Sequence, residues 1–215
     1  MYFCNDILSS YLEKTKEEGA IMGEVCGSLK QIIGKSPEEI LHITEQTTSI
    51  PVDISAILAK LHMTEVKINF TEIEQALFSE DEDKMDISGM VLLSGDKVGI
   101  FYNEKDGINR QRFTIAHELG HCCLNGEKLA DSYIEFRCNM VSDDEMEVAA
   151  NTFAGKLLIP EPSLRKVYEK LTIPVVDSLA KIFQVSQQVM KERLKMLHMD
   201  YFDPSLNEMV VFGED

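Results

Sequence analysis

The chain has 215 residues, 44% of them hydrophobic and 27% charged, with a formal net charge of −16. That length holds one full domain with smaller appendages, and the composition is that of an ordinary soluble protein with a packed core. It excludes a membrane-spanning protein, since no apolar run approaches the roughly 20 residues a bilayer requires, and its acidity argues against a protein that mainly coats nucleic acid.

The opening "MYFCNDILSSYLEK" lacks the basic start of a signal peptide. Five cysteines (Cys4, Cys26, Cys122, Cys123, Cys138), two of them adjacent, suit a reduced cytoplasmic setting and small buried side chains. A structural metal site built from Cys122, Cys123 and Cys138 would lack the usual C-x-x-C spacing.

In chain order, residues 1 to about 47 read as helical, with Gly34 as a stop and a fresh start at "SPEEILHIT", where Ser36 is the N-cap and Pro37 the first helical residue. "PVDISAILAKLHM" is a second helix capped by Asp53. "EVKINF" alternates as a strand, the acidic "SEDEDKMD" reads as a solvated loop, and "ISGMVLLSGDKVGIFYNE" reads as a hairpin turning at Gly95-Asp96. "NRQRFTIAHELGHCCLNG" is a helix expected to end at Asn125-Gly126. An irregular stretch follows to about Ser142, then the helix "DDEMEVAANTFAGKLL", stopped by Ile159-Pro160, and three short helices. From Met199 onward no element is assigned. The organisation predicted is an N-terminal helical segment (1–50), a metal-site domain (51–160), a helical segment (161–198) and a tail (199–215).

The chemistry is carried by "RFTIAHELGH", residues 112–121. A four-residue helical step turns by about 40° and rises about 6 Å, so His117 and His121 can meet one ion, with Glu118 about 60° round from His121. That places Glu118 to take a proton from a zinc-bound water as general base. Zinc suits three N/O ligands with a fourth position open. The bland alternative is a helix with two core histidines. Phe113, Ile115, Ala116 and Leu119 bury the rest of this helix, and Gly120 lets another backbone come close. In "EVAANTFAGKLLIP", Glu147 and Asn151 share a face with Ala154 and Leu158, and small alanines allow tight packing on the histidine helix. Glu147 is the expected third ligand, with Asn151 hydrogen-bonding a ligand ring nitrogen. Glu145 competes for the ligand role but lies about 200° round the helix.

These motifs, with the strand "VGIFYNE" and the ending "LAKIFQVSQQVMKERLKML", resemble the ImmA/IrrE family of zinc metallopeptidases over roughly residues 51–198. The resemblance implies an α+β fold, with a small zincin-like metallopeptidase domain followed by a helix-turn-helix-like segment. It also implies Zn2+ held by His117, His121 and Glu147, with Glu118 activating water. The implied activity is limited cleavage of a helix-turn-helix transcriptional repressor, relieving repression of stress-response or mobile-element genes. Residues 1 to about 47 precede the matching part, and Ala149 stands where the family often has a second acid.

The strand at Gly99–Tyr102 is expected to offer its edge to an extended peptide, with Tyr102 either stabilising an oxyanion or simply packing. Two rival readings are direct DNA binding through residues 161–198, with Lys191, Arg193 and Lys195 as the recognition bases, and a metal-bound regulator without peptidase activity. Cys4 is a further candidate for the open metal position in a latent state. His42, His62 and His198 have no partner at ligand spacing.

Overall fold

The computed structural model describes residues 27–70, 87–94, 97–129, 134–138 and 145–213. The expectations placed on residues 1–26, Cys4 among them, and on the acidic loop lie outside these. A single helical turn, α1 (Gly27–Lys30), leads to Gly34 at φ +76°, a left-handed position that glycine occupies without strain. Helix α2 (Pro37–Ile43) begins with a capping box. The Ser36 hydroxyl accepts from the Glu39 N–H at 3.2 Å, and the Glu39 carboxylate accepts from the Ser36 N–H at 2.8 Å. Asp53 caps α3 (Ile54–Lys60) by accepting from the Ala56 N–H at 3.0 Å.

Strands β1 (Met63–Ile68), β2 (Ile87–Ser94), β3 (Lys97–Asn103) and β4 (Ile134–Cys138) form one sheet in the order β1-β3-β2-β4. The hairpin is present: β2 and β3 are antiparallel, with Ser94 facing Lys97. However, β1 pairs with β3 in parallel, so β3 is an interior strand with both edges used. It cannot receive a peptide as the sequence suggested. Among the described residues the edge strands are β1 and β4, and β4 falls in the stretch that had seemed irregular.

Helix α4 (Ile108–Leu129) carries the two histidines and packs on β2 and β3. It runs through Asn125-Gly126 instead of stopping there. Gly126 serves close packing, because a Cβ at that position would overlap the Ile33 side chain. The second helix, α5 (Glu145–Leu158), lies against α4 with Ala150 and Ala154 fully buried and Phe153 over Gly120.

The remaining helices are α6 (Glu161–Tyr168), α7 (Val176–Phe183) and α8 (Gln187–Met196). One hydrophobic cluster joins all the sequence segments, from Leu29 through Ile57, Ile100, Leu119 and Leu157 to Phe183 and Tyr201. The architecture is therefore α+β, with helices α4 and α5 between the sheet and the C-terminal helices.

Of the three bases of α8, Lys191 and Arg193 have partners inside the fold, while Lys195 is exposed. Arg193 is buried and its Nε donates to Ile159 O at 3.0 Å, while Lys191 pairs with the buried Asp203. Asp203 ends β5 (Tyr201–Asp203), which forms a hairpin with β6 (Glu208–Val210) where no element was expected. Lys191, then the Ser205 hydroxyl at 2.6 Å, push the Asp203 pKa down to about 2 from 3.8. A lowered carboxylate pKa contributes stability that is present above the unfolded value and lost as pH falls through the folded one. Asp203→Asn is therefore expected to flatten the acid limb of the unfolding profile between 3.8 and about 2. An unchanged acid limb in urea titrations would refute this.

Candidate metal centre

The 3.6-residue period of α4 brings His117 and His121 onto one face, with ring centroids 5.0 Å apart. They are 8% and 1% exposed, and Glu118 between them is 1% exposed. The helix start is held by polar residues whose role the sequence did not reveal. The buried Arg112 guanidinium donates to Val52 O at 2.8 Å and Gln184 O at 3.2 Å. Asn109 donates to Val185 O at 3.0 Å, and Gln111 donates to the carbonyls of Asn103, Glu104 and Asp106. The run "NRQR" before an apolar helix was the available signal. Its meaning depends on carbonyls as far away in sequence as Val52 and Gln184.

Packing of α5 on α4 delivers Glu147 to the same face. Its Oε2 lies 3.5 Å from His117 Nε2 and its Oε1 lies 3.9 Å from His121 Nε2. One ligand atom from each of the three residues falls within 4.8 Å of the others. Four ligands in a tetrahedron at zinc-to-nitrogen or zinc-to-oxygen distances are about 3.4 Å apart, so this donor set fits a divalent ion. The alternative, a carboxylate paired with two imidazolium groups, requires two like charges to be buried side by side, which is costly.

Glu145 is exposed at the start of α5, away from the cluster. Asn151 is also exposed. One turn beyond Glu147, its side chain lies at the mouth of an adjoining cleft.

The sheet closes the other side. Ile87 faces Cys138 and Gly89 faces Arg137, which leaves Ser88 as the extra residue of a β-bulge. The Ser88 hydroxyl accepts from Arg110 Nη2 at 2.6 Å, and Arg110 Nε donates to Asp106 at 3.1 Å. Beside this bulge the Gly89 backbone meets the centre: a Cβ there would lie 2.5 Å from Thr114 Cγ2 and 3.0 Å from Glu118 Oε1. Tyr102, opposite Gly89, is partly buried against the core, and its phenol pKa is raised by burial and by Glu65 of β1. Cys122 and Cys123 are buried thiols, and burial pushes the Cys123 pKa up to about 12. The side chain of Cys138 lies outside the described residues.

A family profile described as the IrrE N-terminal-like domain, peptidase M78, matches residues 70–195, more than half of the chain. The chain belongs to the M78 peptidase family. The matched range includes α4 and α5 whole, and therefore every residue of the M78 candidate centre. Two relatives carry related sequences. The radiation response metalloprotease IrrE of Deinococcus radiodurans is 34% identical over 94 residues, 40% of this chain and 27% of that protein. The metallopeptidase ImmA of Bacillus subtilis is 28% identical over 108 residues, 49% of this chain and 63% of that protein. The matches thus span less than two thirds of either relative. Membership of M78 implies a metal ion, and the cluster of His117, His121 and Glu147 is a place that could hold one. No helix among the described residues is long and apolar enough to cross a membrane.

Proposed function

We propose that this chain is a zinc-dependent endopeptidase that makes a limited cut in a protein substrate. His117, His121 and Glu147 are the metal ligands and Glu118 is the general base. The observation that carries this reading is the meeting of the three ligand atoms within 4.8 Å, beside a buried glutamate. When bound, the ion supplies Lewis acidity to a carbonyl and lowers the pKa of a water. Glu118 then accepts the proton of the attacking water and delivers it to the departing amine. Gly89 gives the Glu118 carboxylate its room.

The substrate class we favour is a helix-turn-helix repressor in the cytoplasm, whose cleavage relieves repression. The support is the family resemblance carried by the two motifs. With β3 enclosed, β4, the partner of the strand that carries Gly89, is the one along which an extended peptide could lie. Residues 161–198 act as a brace and not as a DNA reader, because Lys191 and Arg193 are committed to Asp203 and Ile159, which leaves Lys195 as the exposed base of α8. Where a neighbouring gene encodes a helix-turn-helix repressor, the purified, zinc-loaded chain is expected to cut it at one bond, scored by mass spectrometry, and chelation should stop the cut. An intact repressor alongside other cleaved proteins would remove the substrate reading. Failure of the loaded chain to cleave any protein would remove the endopeptidase.

The approach of Gly89 supplies a further test. Gly89→Ala combined with Thr114→Ser removes the methyl that the new Cβ would strike and leaves Glu118 as the atom group that must move. Turnover is expected to fall by about a hundredfold, the cost of a misplaced catalytic group, while KM and zinc affinity hold. Unchanged kcat would show that Glu118 does not depend on this gap.

A further inference from the structure

One cavity beside the metal ligands has no part in that chemistry. A cleft of ≈ 430 Å³ opens between α4, α5 and α8. Its walls include Phe113, Val148, Val189 and Met196, with Gly155 along one side and Asn151 in the lining. Val148 and Met196 are 57% and 45% exposed, although both are large apolar side chains. The cleft is flanked by neighbours of the candidate centre. Phe113 precedes His117 by one helical turn, with ring centroids 6.1 Å apart, and Val148 follows Glu147 directly.

An extended chain advances about 3.3–3.6 Å per residue, so a side chain one or two positions from a bond held at the ligands would reach the cleft. Its charged members do not invite an acidic side chain. Glu192 accepts from Gln188 at 3.0 Å, and the guanidinium of Arg193 is buried and bonded to Ile159 O.

We propose that this cleft receives an apolar side chain of leucine, methionine or phenylalanine size from the substrate, within two residues of the scissile bond, and so sets where the chain cuts. The inference rests on the endopeptidase reading of the same centre. It explains why apolar surface is left open next to the proposed metal ligands, and it puts Asn151 beside the peptide.

Gly155 allows a direct test, since a Cβ there meets nothing within 4 Å. Gly155→Met should fill the cleft without a clash, and losing a glycine from a helix interior favours folding. Two peptide hydroxamates, alike except for a leucyl or a glycyl residue next to the chelating group, are titrated calorimetrically into the zinc-loaded chain. The leucyl probe is expected to bind about tenfold tighter or more, as burial of such a side chain implies. In Gly155→Met the two should agree to within about twofold by the same reasoning. Equal affinities in the parent chain would overturn the proposal, whatever the variant does, and so would a leucyl preference that survives in Gly155→Met. Because the readout is binding, a chain that cleaves protein without leucyl preference refutes only the pocket. A chain with the preference but no cleavage refutes only the hydrolase.

Discussion

Glu118→Gln is expected to keep its metal and to lose cleavage by about 10²–10⁴-fold, the usual contribution of a positioned general base. Glutamine has nearly the same shape, so the 1%-exposed space beside Gly89 stays filled and α4 keeps its packing. What changes is the ability to accept a proton from water and return it to the leaving amine. Zinc content by elemental analysis and the rate of a single substrate turnover separate these effects. Residual cleavage within about tenfold of the parent rate would remove Glu118 from the mechanism.

Glu147→Ala should weaken zinc binding by at least about a hundredfold, because even an outer partner of a metal ligand costs 10–100-fold when removed. The matched control is Glu145→Ala, two residues away on an exposed face, which should leave zinc affinity unchanged. Competition with a chromophoric chelator measures both. Equal losses in the two variants would mean that general acidity near the start of α5 attracts the ion, and no defined ligand set would remain. Fold stability should change little in either variant, since neither carboxylate belongs to the hydrophobic cluster.

The meeting of the two imidazoles could be read from ten residues, because its geometry is local. One helical period relates His117 to His121, and the apolar flanks guarantee that the helix forms and is buried on one side. The caps at Ser36 and Asp53 were legible for the same reason, as each acts within three residues. The hairpin of β2 and β3 was also readable, from two apolar runs and the turn residues between them. Glu147 lay one step further out. The alternation of small and apolar residues in α5 marks its buried face, and its meeting with α4 had to be inferred from the chemistry of the histidines.

Long-range pairing produced what the sequence could not show. Asn125-Gly126 looks like a helix stop, yet the approach of Ile33 from the N-terminal segment makes Gly126 a packing position inside a continuing helix. Asn151 lines a cleft whose far wall is α8, a neighbour that no window around Glu147 reveals.

By itself, then, the amino-acid order determined which helix carries the histidines, where Glu118 falls relative to them, and which face of α5 is buried, since each depends on backbone periodicity over a few residues. Only the tertiary structure decided that β3 is enclosed and that β4 lies at the edge among the described residues, that Gly89 borders Glu118, and that Lys191 and Arg193 are spent on internal partners. Strand order and side-chain partnership across the fold depend on which surfaces meet once the whole core is buried, and that is a property no short window of sequence contains.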